Sequence, residues 1–302
     1  MFEFGKHVME KVGFDDEAKA LFTEIAEKLL SNPEHSKTIE KFRGLCDHME
    51  AEDIYASQIE PLWEPFVEAT GIKVEQLTMV VFLCVCDLLY EKYKKHGISD
   101  EIFYDTMDDL RCKLNENRER FGYDGFAPRD WLFRFFKLRR FALGRMQYDL
   151  HFWSRQPIVM GEKRIFPGDP CLICHIPSSG KPFDREARPD SYRRAVNFFR
   201  ERGHGILPIT TTTWLLDPQF VKYMSPKSNI VDFFNDFDVV NGIEVKEMMT
   251  PWRVFGSAQD LPVEQLPENT TLQRVCKERL LKNDKFYAGS AVLWTDKYVE
   301  NN

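Results

Sequence analysis

The sequence predicts an α+β protein, with an all-helical domain over residues 1–122 followed by a mixed α/β domain over residues 123–302. Three observations carry that reading. Apolar residues recur every three to four positions from Ala18 to Leu114, the spacing of helix faces packed on a core. At 120–128 the chain reads RFGYDGFAP, where two glycines and a proline break the periodicity. Beyond it, short apolar runs alternate with amphipathic stretches, as expected where strands alternate with helices. Charge shifts at the same place. Residues 1–122 hold 15 Lys and Arg against 26 Asp and Glu, and the remainder holds 26 against 22.

In the first part, Asp15 or Asp16 caps a helix with Ala18, Leu21, Phe22, Ile25 and Leu29 on one face, stopped at Asn32 and Pro33. Ser36 opens a second helix bearing Ile39, Phe42, Cys46 and Met49. A third, Asp53 to Ala69, carries Trp63 and is interrupted by Pro61 and Pro65. A fourth, Lys73 to His96, is apolar on most sides and is expected at the centre of the domain. Ser99 caps a fifth, with Phe103, Met107, Leu110 and Leu114 facing the core.

In the second part, Pro128 to Lys137 reads as a short helix and Phe141 to Trp153 as one strand. Arg155 to Gly168 reads as a hairpin or loop, with a strand at 158–160. Cys171 to Ile176 is a short apolar run suited to a central strand. A helix follows Pro189, with Tyr192, Ala195, Val196 and Phe199 on one face and Arg193, Arg194 and Arg200 on the other. Ile206 to Leu216 is the next strand. Pro218 opens one short helix and Ser228 caps another. Val239 to Phe255 supplies one or two strands, Thr270 and Gln273 form a capping box, and Phe286 to Trp294 is the last strand.

Composition bounds the function. Apolar residues are 43% and charged residues 29%, an ordinary globular balance. The most apolar stretch, Leu77 to Leu89, is too short to span a bilayer, and the opening residues lack a signal-peptide pattern; the expectation is a cytoplasmic protein. Its seven cysteines read as reduced, buried thiols. Cys171 and Cys174 would point to opposite faces of a strand, so no metal site is expected. Residues 129–202 hold 16 basic and 8 acidic side chains, a local field that suits an anionic partner or simply forms a solvated face. No nucleic-acid motif accompanies it, and none is expected to bind.

The stretch richest in chemistry is CLICHIPSSGKPFDREARPDSYRRAVNFF, residues 171–199. Ser178, Ser179, Gly180 and Lys181 could hold a phosphate through hydroxyls, amides and one cation, or form a polar turn. Arg193 and Arg194 could meet a phosphate or sit in solvent. His175 closes the strand as a candidate general base, with Asp184 a candidate to orient it; the alternative is a histidine hydrogen-bonded within the sheet. Ser191 supports the helix start, in competition with Asp190.

The segments LGRMQYDL (143–150), HIPSSGKPF (175–183), Ser191 with AVNFF (195–199), TTWLLDP (212–218) and SNIVDFF (228–234) resemble the GNAT-like acyltransferase domain of a family of gut Firmicutes proteins. The helical part resembles that family's N-terminal domain. The resemblance implies a central, mostly antiparallel sheet. It also implies acyl-CoA, as acetyl-CoA or a longer thioester, lying between the strands 171–176 and 206–216, with its pyrophosphate at the turn 177–191. On that mapping Ile176, Ser178, Ser179, Gly180, Lys181, Ser191, Arg193 and Arg194 border the coenzyme. Tyr223 protonates the departing thiolate, or is simply packed. Trp214, Thr212 and Asn229 line the substrate pocket, although Trp214 also reads as core and Asn229 as a turn residue. Glu244 and Glu247 stand where an acceptor amine approaches, or on an exposed strand face.

The implied reaction is direct acyl transfer from acyl-CoA to an amine of a small molecule or peptide, without a metal. The loop departs from the family's Q/R-x-x-G-x-G/A pattern, since PSSGKPFDREARPDS has one glycine. That departure favours the alternative, a catalytically inactive GNAT fold that binds a ligand or partner.

Overall fold

The computed structural model describes residues 2–49, 62, 64–245 and 248–299. They form two compact units, one of residues 1–142 with 177–180 and one of 143–176 with 181–302. The first unit runs past the boundary expected at residue 122.

The first unit contains α1 (Glu3–Lys11), α2 (Asp16–Ser31), α3 (Pro33–His48), α4 (Glu64–Thr70), α5 (Val74–Lys95), α6 (Asp100–Phe121) and α7 (Arg129–Phe136). As the apolar pattern requires, α5 is central. Leu77, Met79 to Cys86, Leu89 and Tyr93 are all buried, and α1, α2, α3 and α7 pack around it. Sequence reading missed α1, which is amphipathic and buries only Gly5, Val8 and Met9. Most of the helix expected over Asp53 to Ala69, with Trp63, lies outside the described residues; α4 is its described end.

Caps fall where the side chains dictate. The Asp15 carboxylate accepts the Ala18 amide at 2.9 Å, and Ser99 accepts that of Ile102. Asp15 also takes two bonds from Arg118 of α6, at 2.5 and 3.1 Å. The Arg118 guanidinium, aided by the Ala18 amide, lowers the Asp15 carboxyl from 3.8 to about 2. A depressed carboxyl stabilises the fold fully above its unfolded value, and that contribution is lost as pH falls through the folded value. Asp15→Ala is therefore expected to cost about 1 kcal/mol at neutral pH. Its deficit against wild type should shrink between about pH 4 and about pH 2. Urea melts across that range check this; a deficit independent of pH would contradict the ion-pair part.

Strand β1 (Arg140–Leu143) follows α7 in the chain. The second unit then contains β2 (Met146–Phe152), β3 (Ile158–Met160), β4 (Lys163–Ile165), β5 (Pro170–His175), α8 (Ala187–Glu201), β6 (Ile209–Thr213), α9 (Phe220–Tyr223), α10 (Asn229–Asp236), β7 (Asp238–Val245), α11 (Trp252–Phe255), α12 (Thr271–Leu281) and β8 (Phe286–Leu293). The single strand expected over Phe141 to Trp153 is two, because Gly144 takes φ +76° and turns the chain back on itself. Val239 to Phe255 gives one strand and a short helix. Of the two alternatives for Arg155 to Gly168 the hairpin forms, with β4 as a second strand beside the one expected at 158–160, and the Thr270–Gln273 capping box forms as read.

Five strands of this unit run in the order β2-β5-β6-β8-β7. Every pair is antiparallel except β5 with β6. The sheet is thus the mostly antiparallel one the resemblance implies. Helix α8 packs on it through Tyr192, Ala195, Val196, Phe198 and Phe199. Two ion pairs tie α8 and its lead-in to α10: Arg185 grips Asp232 at 2.5 and 2.6 Å, and the buried Arg188 meets Asp236 at 2.6 Å. Tyr192 donates to the same Asp236 carboxylate. These contacts explain the aspartates around SNIVDFF. No helix of the described residues is long and apolar enough to cross a membrane.

Candidate active site

Strands β5 and β6 pair over only two positions, Leu172 with Ile209 and Ile173 with Thr210. Beyond these the register ends, and the Thr211 hydroxyl donates to the Cys174 carbonyl at 3.2 Å in place of a ladder bond. The two parallel strands therefore part at their carboxyl ends, at His175 and at Thr212–Thr213. A parted pair of parallel strands leaves backbone groups and side chains facing a gap, the position in which such sheets hold ligands.

His175 stands at that gap. Its Nε2 lies 3.1 Å from Asp149 Oδ2, with His175 22% and Asp149 11% exposed. The pairing follows from the β2–β5 register, in which His175 is opposite Gln147 and Ile173 opposite Asp149. Residues opposite one another share a face, and diagonal neighbours are within reach of long side chains. Gln147, Asp149 and His175 consequently occupy one face, and Tyr148 and Cys174 the other.

Asp184, the partner suggested by sequence, is engaged elsewhere. Its Oδ1 accepts the Glu186 and Ala187 amides at 3.1 and 2.9 Å, and these bonds lower its carboxyl below the usual range. The missed partner, Asp149, carried a signal: in MQYDLHF every second residue is polar within an otherwise apolar strand.

The other expected residues separate into groups. Residues 177–180 belong to the first unit. There the Ser178 hydroxyl donates to Glu116 at 2.7 Å, the Ser179 carbonyl accepts from Arg111 at 3.4 Å, and Gly180 turns at φ +71°. Ile176, in the second unit, links β5 to that segment.

Lys181 is exposed, and its carbonyl accepts from Arg145 at 3.2 Å. Arg193 and Arg194 both reach Asp190, at 2.5 and 2.7 Å. The Arg194 stem runs beside Gly144, so Arg145, Lys181 and Arg194 gather around the entry to α8. Sequence reading missed Arg145. Ser191 is fully buried: it donates to the Leu143 carbonyl at 2.6 Å, accepts the Met146 amide and shares a bond with Tyr148. Its hydroxyl fastens α8 to the β1–β2 turn.

Tyr223 and Glu244 lie in a second region. Tyr223 donates to Asp284 at 2.5 Å, a bond that raises its phenol above the usual value. Tyr223 and Asp284, with Gln219, Lys222, Lys285 and Tyr287, line a pocket of about 440 Å³. Glu244 pairs with Lys285 at 2.9 Å; Glu247 lies outside the described residues. Thr212 accepts from Arg155 and donates to Ser290, on the same sheet face as His175. Trp214 packs on the core around Phe220 and Phe255, and Asn229 is the exposed first residue of α10. All seven cysteines are buried free thiols, and burial pushes the Cys174 thiol up.

Sheet order, parted strands and the helical unit together define a GNAT-like fold behind a helical N-terminal domain. Residues 140–293 match the GNAT-like C-terminal domain, and residues 4–138 match the N-acyltransferase N-terminal domain. The chain belongs to this GNAT-like N-acyltransferase family.

Among solved structures, it is similar to an acyltransferase in complex with decanoyl-CoA, at 19% identity and a TM-score of 0.69, covering 96% of this chain and 99% of that one. An acyltransferase with decanoyl-CoA and teicoplanin matches at 18% identity and a TM-score of 0.61, over 96% and 99%. A mutant acyltransferase with octanoyl-CoA matches at 18% and 0.62, over 97% and 99%. No curated protein matches the sequence.

Proposed function

We propose that the protein is an acyl-CoA-dependent N-acyltransferase that acylates an amine on a small molecule or peptide by direct transfer. The observation that carries the reading is the His175–Asp149 pair at the carboxyl end of β5, where β5 and β6 part. The family assignment and the acyl-CoA complexes of its structural neighbours support it.

The acyl thioester lies in the gap between β5 and β6. Arg145, Lys181 and Arg194 suit the phosphates of the coenzyme as charge-assisted donors. His175 takes a proton from the acceptor amine, and Asp149 orients the ring and stabilises the imidazolium. The amine nitrogen attacks the thioester carbonyl, and the C–S bond breaks as the tetrahedral intermediate collapses. The thiolate leaves as free CoA after taking a proton from the imidazolium. Tyr223 is a second candidate for that last step, provided its phenol leaves Asp284.

Two of the solved neighbours hold teicoplanin or 10C-teicoplanin, so medium-length acyl chains and a peptide-like amine acceptor head the substrates to try. We place the protein in the cytoplasm, where acyl-CoA is available.

Calorimetric titration with decanoyl-CoA, octanoyl-CoA, acetyl-CoA and free CoA tests the coenzyme part. The expectation is micromolar binding of acyl-CoA that weakens in Lys181→Ala and Arg145→Ala. Absence of binding to every thioester would overturn the proposal. A second reading, a non-catalytic binding module, rests on Asp184, which already occupies the amides entering α8. Tight acyl-CoA binding with no turnover of any amine would favour it.

A further inference from the structure

We propose that Gln147 is a specificity-determining residue that receives an N–H of the acceptor amine beside His175. The inference rests on the acyltransferase reading and assigns a new group to that site. Gln147 is 1% exposed, and its Oε1 is buried without a hydrogen-bond partner. A buried carboxamide oxygen left unbonded gives up its hydration with nothing in return, so an unpaired one in a functional site points to a partner that arrives with the ligand.

Its position names that partner. Gln147 is directly opposite His175 in the β2–β5 register and two residues from Asp149, so all three share a sheet face. His175 is engaged by Asp149, whereas Gln147 has no such engagement. The vacant group is an acceptor, so the ligand atom that completes it must carry a hydrogen. A thioester carbonyl and a thiolate offer none; the pantetheine amides of the coenzyme do, and the KM for decanoyl-CoA separates them from the acceptor amine. A primary amine offers one N–H to Gln147 and its second N–H to His175. Two acceptors side by side would fix the nitrogen with its lone pair turned away from both, toward the acyl carbon. Alcohols, with a single O–H, cannot serve both groups, so the arrangement selects amines over hydroxyl acceptors.

The test uses the full-length protein with decanoyl-CoA and a panel of tryptamine, spermidine, diglycine and teicoplanin, the best wild-type acceptor being carried forward. Gln147→Met keeps side-chain length and removes both polar atoms. Gln147→Glu keeps an acceptor oxygen. Gln147→Met is expected to raise KM for the amine about tenfold or more, the worth of one hydrogen bond, and to leave KM for decanoyl-CoA unchanged. Its melting temperature should hold or rise, since an unsatisfied buried group is gone. Gln147→Glu is expected to retain more amine affinity than Gln147→Met.

An unchanged amine KM in Gln147→Met, with wild type active, overturns this assignment alone. A lowered melting temperature with both KM values raised shows a structural role and also overturns it. No wild-type turnover of any amine overturns the acyltransferase reading itself.

Discussion

His175→Ala is expected to lower kcat by about 10²- to 10⁴-fold, the usual contribution of a positioned general base. Affinity for acyl-CoA should be untouched, because the proposed role of His175 is to take a proton from the acceptor amine. Asp149→Asn should reproduce part of that loss, since the ring would keep a neighbour of similar shape but lose the negative charge that stabilises its protonated form. The two effects should be far from additive: Asp149 acts through His175, so the double variant should be little worse than His175→Ala. Steady-state rates for the three variants, with titration of acyl-CoA as a control, check this. Additive losses would show that Asp149 works independently of the histidine, and a full rate in His175→Ala would remove the histidine from the mechanism.

Asp217→Ala carries the largest expected effect on stability. Asp217 is 1% exposed and Arg279 0%, and they meet at 2.9 Å. The same carboxylate accepts the Gln219 amide at 2.8 Å and the Tyr287 amide at 3.1 Å. It joins the turn after β6, the helix α12 and the start of β8. The remaining guanidinium nitrogens, Nε and Nη1, have no hydrogen-bond acceptor. The cation instead sits over the Phe286 ring, 4.2 Å from its centroid, with Phe220 and Tyr223 nearby. Removing the carboxylate strands a buried charge, at a cost of about 3–5 kcal/mol. Denaturant melts should show that loss, with a smaller one in Asp217→Asn, which keeps one acceptor oxygen. A loss below about 1 kcal/mol would contradict the role given to this pair.

Local features were legible in the sequence because they depend on neighbours a few residues apart. The caps at Asp15, Ser99, Ser228 and Thr270 form as read, and so do the apolar faces of α2, α5, α6 and α8. The splitting of one expected strand into β1 and β2 turned on a single glycine, Gly144, whose left-handed backbone an alternating pattern does not reveal.

The site was half legible. His175 stands out at the end of an apolar run, and the polar turn after it is visible. Its partner was not, because Asp149 reaches it through strand register, and the nearer Asp184 is drawn to the amides that open α8. In the sequence Asp217 stands out only as part of TTWLLDP; its three donors lie at 219, 279 and 287, and only the fold collects them. Arg145 escaped notice for the same reason, since the turn it occupies is brought to Lys181 by packing of β2 against α8.

The most direct test of the central claim is a single incubation of the wild-type protein with decanoyl-CoA and the amine panel, read by thiol release and by the mass of each acceptor. The account predicts CoA release that depends on the amine, matched mole for mole by an acceptor heavier by one decanoyl group, and lost in His175→Ala. Thiol release without an acylated amine, or no release from any acceptor, would contradict it.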